Sequence, residues 1–346
     1  MSEWAVESMV EHDGSLERRY GARYRELWRA ELKVLIQHLA EAIALHCPQL
    51  FLHHVCWSRA GFVARDVNPG DLRLALESLR EVIATKAPKP VVDRACGLLD
   101  EAVGCVTRQE AQPGCAICNS QPNASLARMY LLHLLQRDQA AAANVIVEAQ
   151  REGKSVPELY ETVITPALAE VGRMWQLQEA SVADEHYCTA ATHMVMSQIR
   201  ARMPRKPSNG KRVLATAVGG DLHDVGIRMV ADLFEMNGWQ AEYLGANMPT
   251  DEVVASLVDE HGEPAFDLLA LSAATALSVR GVAEIIRAVR EQPALSDLPI
   301  IVGGGPFCLV PELWKSVGAD GHAASATTAL EVAERLVRPT TSSGQF

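Results

Sequence analysis

Over the first third of the chain, apolar residues recur with the period of an α-helix. Within residues 19–45, Leu27, Leu32, Leu35, Ile36, Leu39 and Ile43 fall on one face, which predicts an amphipathic helix. Pro48 is a start signal for a second helix, and Asn68-Pro69-Gly70-Asp71 reads as a turn. Leu72 to Lys86 reads as a third helix, and Pro88 and Pro90 precede a fourth that runs on to Val106. Four helices with short connections predict a bundle over residues 1–120. The stretch 108–123 is polar and contains Pro, Gly and Asn, which makes it the best linker. A second helical unit is expected over 124–204. Two helices span 126–138 and 139–153, and Ser155-Val156-Pro157-Glu158 reads as a capping box for the next. Pro166 predicts a kink or break in that helix. Ser181 to Asp184 caps the last one.

The period then changes. After a polar linker at 204–211, short runs near 212–218, 240–244, 266–272, 299–303 and 320–323 alternate with amphipathic helices. Strands alternating with helices predict a doubly wound parallel sheet. The expected fold class is α/β: an all-helical N-terminal domain and a four-helix cap, followed by a five-stranded, flavodoxin-like domain at 212–338. Residues 339–346 read as a flexible tail.

Composition narrows the possibilities. The chain has 346 residues, 48% of them apolar, which is enough for packed cores. A formal net charge of −11 argues against a default nucleic-acid binder. Arg18, Arg19, Arg23, Arg25 and Arg29 are interleaved with glutamates, as on a solvated helix face. No basic helix-turn-helix is visible, so no direct DNA binding is expected. No apolar run approaches a membrane span. Glu3, Glu7, Glu11 and Asp13 replace the basic start of a signal peptide, so a cytoplasmic location is expected.

Eight cysteines then suggest thiols, metal ligands or redox groups. Cys96, Cys105, Cys115 and Cys118 gather around a loop, and the last two form a C-x-x-C. A zinc or redox site is conceivable, but no second C-x-x-C or spaced histidine pair completes it. Two helix thiols and a loop pair is the simpler reading. His53, His54 and Trp57 read as packing or surface residues.

The chemistry concentrates between Val213 and Gly226, where a β-branched run leads through Asp221 and His223 into a helix. Loops at strand carboxyl ends are where open α/β sheets bind ligands. A histidine two residues after an aspartate suits a metal-ligand pair. One ring nitrogen coordinates while the carboxylate holds the proton of the other. A second cluster is expected in the helical unit. Trp175 closes one helix, Glu185 and His186 sit in the first turn of the next, and a helix hairpin brings such ends together.

On these residues the chain resembles the cobalamin-binding domain shared by methionine synthase, the corrinoid methyl carriers and the cobalamin light sensors. The matching positions are Asp221, His223 and Gly226 after the first strand, Ser272 after the third, and Gly303, Gly304 and Gly305 after the fourth. The resemblance implies that His223 displaces the nucleotide base of cobalamin and becomes the lower cobalt ligand. The displaced tail would lie along Gly226, Ser272, Thr275 and Gly303 to Gly305, with Asp224 and Val225 in the binding loop. The spacing Trp175, nine residues, Glu185-His186 resembles the helical cap of the light sensors. It implies adenosylcobalamin, with Trp175 beside the adenosyl group, Glu185 bonded to it, and Val182 and His186 nearby.

There is one departure. Well-studied sensors carry a histidine after the Trp, and here it is Gln176. That puts a bis-histidine photoproduct in doubt, and leaves His186, His193, water or an N-terminal group as substitutes, or an open site. The function expected from this resemblance is a non-enzymatic, adenosylcobalamin-dependent light sensor. Photolysis would move the cap and act on a protein partner, such as a transcription regulator, or on a homo-oligomer. The alternative is the corrinoid methyl carrier of a methyltransferase system. A weaker third is a sensor of cobalamin level or redox state acting through the cysteines.

Overall fold

The computed structural model describes residues 1–108 and 113–337. Part of the expected linker, at 109–112, and the expected tail at 339–346 lie outside the described residues. The chain forms two compact units. One is Met1–Gly114 with Arg173–Ala180, and the other is Cys115–Gly172 with Ser181–Phe346.

The first unit is helical, with six whole helices among its described residues rather than the four expected. They are α1 (Ser2–His12), α2 (Leu16–Tyr20), α3 (Tyr24–Ala44), α4 (Pro48–Ala64), α5 (Pro69–Lys86) and α6 (Lys89–Thr107). The single helix expected over 19–45 is broken because Gly21 adopts φ +73°, a conformation open to glycine. Asn68-Pro69 is the start of α5 rather than a free turn. The Asn68 side chain accepts the Gly70 amide at 2.9 Å, and proline fits the first helical position. Asp71 is buried and receives the Arg19 guanidinium at 2.7 and 3.1 Å together with the Tyr20 hydroxyl. That pins α2 to α5 around a core of Leu32, Leu35, Leu72, Leu76 and Leu99.

Inside this unit the rings of His38 and His54 stack face to face, 3.5 Å apart. Trp57 stacks on His54, and Trp175 lies 5.8 Å from Trp57. Burial, with nearby His53 adding, pushes His38 down to about 4. Burial and the neighbouring His38 push His54 down to about 3. Both rings are therefore neutral in the fold, while in the unfolded chain they titrate near 6.5. The unfolded state binds the extra protons as pH falls below that value. Stability of this unit should drop between about pH 6.5 and pH 4, at about 1.4 kcal/mol per pH unit for each histidine. Acid unfolding followed by circular dichroism checks this. His38→Leu with His54→Leu should flatten the profile in that window, and an unchanged slope would refute the assignment.

The second unit begins with α7 (Ala124–Leu135), α8 (Gln139–Arg151), α9 (Val156–Leu159), α10 (Thr165–Gln176) and α11 (Val182–Ala201). The last turn of α10, from Arg173, belongs to the first unit. The expected capping box at Ser155 forms only by half. Ser155 accepts the Glu158 amide at 3.3 Å, but the Glu158 carboxylate takes Asn123 at 2.8 Å and Lys154 at 3.2 Å instead. The Ser181–Asp184 box is complete. Pro166 does not break its helix. A π-turn at Tyr160–Ile164 precedes it, and the Thr165 amide reaches back to the Tyr160 carbonyl. A widened turn accommodates a residue that lacks an N–H and crowds the preceding carbonyl.

The sheet follows. Its strands are β1 (Arg212–Val218), β2 (Gln240–Met248), β3 (Leu268–Ser272), β4 (Ile300–Gly303) and β5 (Gly321–Ala323). Between them run α12 (Val225–Met236), α13 (Thr250–Ser256), α14 (Val279–Glu291), α15 (Gly305–Leu309) and α16 (Leu313–Ser316), and α17 (Ala326–Leu336) comes last. All strand pairs are parallel, in the order β2-β1-β3-β4-β5. This is the doubly wound, flavodoxin-like sheet expected, with its switch of direction between β1 and β3. β2 runs past the expected end at Leu244 to Met248. Two register shifts against β1 absorb Gly245 at φ +87° and Asn247 at φ +57°. Ala217, Ser272, Gly303 and Ala323 pair in one row across the carboxyl edge. Among the described residues, no helix is long and apolar enough to cross a membrane.

Candidate functional site

The loop from Gly219 to Asp224 leaves β1 at the switch point. Its centre is Asp221, a buried carboxylate. One oxygen accepts the His223 amide at 3.0 Å and the His223 Nδ1–H at 2.8 Å. The other accepts the Ala274 amide, just past β3, at 2.6 Å. Burial works against the charge, but these hydrogen bonds outweigh it and hold Asp221 below the usual carboxylate range. The bond to Asp221 raises His223 in turn, against the opposing pull of burial. A carboxylate on Nδ1 fixes the tautomer and leaves Nε2 as the coordinating nitrogen. The His223 side chain is 63% exposed, so that nitrogen faces outward. Asn247 ties down the same loop. Its side chain accepts the Gly220 amide at 2.6 Å, and its own amide donates to the Asp221 carbonyl at 2.9 Å.

Beside the loop lies a cavity of about 350 Å³, lined by Gly226, Ser272, Gly303 and Gly304 and by apolar residues such as Met229 and Leu271. That size lies at the lower end for small-molecule sites. Tyr160 and Glu161 of the π-turn complete the wall. Nothing lies within 4 Å of where a Gly226 side chain would begin, so its lack of one keeps the cavity open. The glycines after β4 act differently. A Cβ at Gly303 would meet the Ala323 carbonyl at 2.9 Å, and one at Gly304 the Ala273 carbonyl at 2.0 Å. They allow the strand ends to pack closely. Thr275 and Gly305 lie outside the lining. Thr275 bonds to Ser278 at 2.9 Å, and Gly305 packs against the Ala274 carbonyl.

The remaining expected residues fall as follows. Val225 and Gly226 open α12. Asp224 precedes them, and its carboxylate takes His193 at 2.8 Å and the Tyr243 hydroxyl. His193, one of the substitutes considered for the missing histidine, thus has its Nε2 bonded to Asp224. Val182, Glu185 and His186 lie in the first two turns of α11, with Val182 and His186 exposed and His186 paired to Glu185 at 3.1 Å. Trp175 belongs to the first unit. Gln176 is buried there, donating to the Trp57 carbonyl at 3.0 Å while its own carbonyl accepts Arg65 at 2.9 Å. The residue that follows the Trp is therefore a structural amide.

The cysteine cluster does not assemble. None of the eight cysteines is in a disulfide, and the described residues contain no group of three or more His, Cys, Asp or Glu that could hold a metal. Cys96 and Cys105 sit on α6, while Cys115 and Cys118 are exposed in a turn whose Ala116 amide is held by Glu170 at 2.6 Å.

An outward imidazole fixed by a carboxylate, next to an apolar cavity, fits a corrinoid whose nucleotide tail has been displaced. Comparison with known proteins supports cobalamin binding. Residues 211–333 match the family model of the B12 binding domain, and residues 126–200 match a second B12 binding domain model. Over these two stretches the chain is similar to cobalamin-binding domains. A corrinoid protein of Desulfitobacterium hafniense is 24% identical over 210 residues, covering 59% of this chain and 94% of the relative. Trimethylamine corrinoid protein 1 of Methanosarcina acetivorans is 28% identical over 196 residues, covering 55% and 87%. The solved monomethylamine corrinoid protein of Methanosarcina barkeri shares the fold, with a TM-score of 0.53 and 19% identity over 62% of this chain and all of that one.

These relatives overturn the light-sensor expectation, and with it the photoreceptor and transcription-regulator roles. They are named as corrinoid proteins, several for methylamines. A Trp and a Glu-His pair separated by nine residues is too short a pattern to outweigh relatives that are named as corrinoid proteins. Gln176, where the sensors have histidine, serves packing.

Proposed function

We propose that this chain is a corrinoid methyl carrier, a subunit without catalytic activity of its own that works with a separate methyltransferase. The observation that carries the proposal is the Asp221-anchored imidazole of His223 beside an apolar cavity, in a chain whose relatives are corrinoid proteins. His223 would ligate cobalt through Nε2, and Asp221 would hold the ring and strengthen it as a donor. The nucleotide tail would enter the cavity at Gly226, Ser272, Gly303 and Gly304. Val182, Glu185 and His186 would border the upper face. When bound, the corrinoid supplies a cobalt centre that accepts a methyl group at one partner site and gives it up at another. Residues 124–204 and 212–338 would form the corrinoid module, and residues 1–120 would serve for interaction with the partner. Methylamines are the first donor class to test.

The experiment is to load the full chain with hydroxocobalamin, reduce it with titanium(III) citrate and supply labelled methyl iodide. A carrier takes up about one methyl group per corrinoid and passes it to an added thiol. A control with adenosylcobalamin, run on size exclusion in the dark and under green light, should show no change in size. Failure to hold or transfer the label, or a light-driven change in size, would contradict the proposal.

A further inference from the structure

Asp224 departs from the local rule for its position. It is the N-cap residue of α12, where an aspartate normally accepts an amide of the first turn. Here its side chain makes no cap bond. One carboxylate oxygen takes His193 Nε2 at 2.8 Å, and the other takes the Tyr243 hydroxyl. His193 lies on α11, Tyr243 on β2, and the Arg228 guanidinium stacks over the Tyr243 ring at 4.9 Å. The carboxylate is 17% exposed, so these are well-shielded, charge-assisted bonds. The aim of His193 is itself fixed. Its neighbour Thr192 is buried and bonds the buried Tyr130 hydroxyl of α7 at 2.9 Å, which sets the rotation of α11.

We infer that Asp224 and His193 are positioning residues for the cobalt ligand. Through them the position of α11 is coupled to the loop that carries His223. This inference rests on the reading of His223 as that ligand. Asp221 fixes the ring itself. Asp224, the next residue after His223, fixes where the loop stands between α11 and β2. A shift of α11 then pulls on the backbone beside the ligand, so movement of the helical cap changes how firmly the imidazole is presented.

The test uses the full chain loaded with cobalamin and reduced to the Co(II) state. Electron paramagnetic resonance reads the fraction of corrinoid coupled to a protein imidazole nitrogen. His193→Ala and Asp224→Ala should shift the ligation equilibrium about tenfold towards the unligated form, as expected for an outer-shell partner. His193→Gln, whose amide still donates, should restore most of it. Hydrogen exchange on the apoprotein gives a second reading that needs no corrinoid. In His193→Ala, amides 220–226 should exchange about tenfold faster while those of β3 and β4 are unchanged, consistent with a local opening. The inference is overturned if the alanine variants keep the parent's ligated fraction while His223→Ala loses it, or if loop exchange is unaltered. If His223→Ala also keeps the signal, the ligand assignment fails and the inference falls with it.

Discussion

Replacing Gly304 by alanine should unfold the α/β domain at temperatures where the parent is stable. Gly304 sits at φ +107°, which L side chains rarely adopt. Its missing Cβ would stand 2.0 Å from the Ala273 carbonyl oxygen and 2.7 Å from the carbonyl carbon. These are backbone atoms of the segment that also positions Ala274, whose amide holds Asp221. No rotamer change relieves the contact, so the β3 and β4 ends must separate. Backbone strain and overpacking together should cost about 4 kcal/mol or more. Thermal unfolding measures it. Gly226→Ala is the informative contrast, because its new methyl meets nothing within 4 Å and alanine favours a helix. That variant should melt no lower than the parent yet bind corrinoid more weakly, since Gly226 is part of the cavity lining. Equal melting of the Gly304 variant and the parent would show that the packing argument is wrong.

Asp221→Asn should weaken corrinoid retention about 10- to 100-fold, the usual effect of losing the partner of a metal-ligating histidine. The carboxylate accepts three N–H groups with its two oxygens. An amide has one acceptor oxygen. If it faces His223, its NH₂ opposes the Ala274 amide at a site where the parent distance is 2.6 Å. If it faces Ala274, it opposes the imidazole Nδ1–H and lets the ring turn. Either way an N–H group held by the carboxylate loses its acceptor, which should lower apoprotein stability by about 1 kcal/mol. Equilibrium dialysis against hydroxocobalamin gives the first figure and denaturant unfolding the second. Parent-like values for both would remove Asp221 from the account.

Much of this architecture is readable from side-chain period. The run at 212–218 carries Val213, Leu214, Thr216 and Val218 between small alanines, and it forms β1 with the same ends. Asp221 and His223 are legible because their relation is local, two residues apart on one loop. What the sequence hides is long-range or carried by the backbone. The Ala274 amide that bonds the second Asp221 oxygen carries no residue-specific signal. Asn247 reaches Gly220 only because two register shifts turn the end of β2 towards the loop. The His193–Asp224 bond joins residues 31 positions apart in the chain on elements whose packing no period encodes. Pro166 signals trouble in its helix, but only the fold decides that a π-turn resolves it. His54 and Trp57 do pack, as expected, yet their stack on His38 and Trp175 requires three separate helices to be placed first. The functional error has a physical source as well. A Trp and a Glu-His pair can match a spacing while the residue after the Trp, Gln176, is committed to the Trp57 carbonyl.

The central claim is that His223 ligates cobalt in place of the cofactor's own base. The most direct measurement is the electron paramagnetic resonance spectrum of the full chain loaded with cobalamin in the Co(II) state, prepared with and without ¹⁵N-labelled histidine. If His223 is the ligand, labelling converts the nitrogen splitting from a triplet to a doublet, and His223→Ala removes that response. A splitting that stays a triplet in the labelled protein would mean that the nucleotide base remains on the metal, and the account given for Asp221, His223 and the cavity would be wrong.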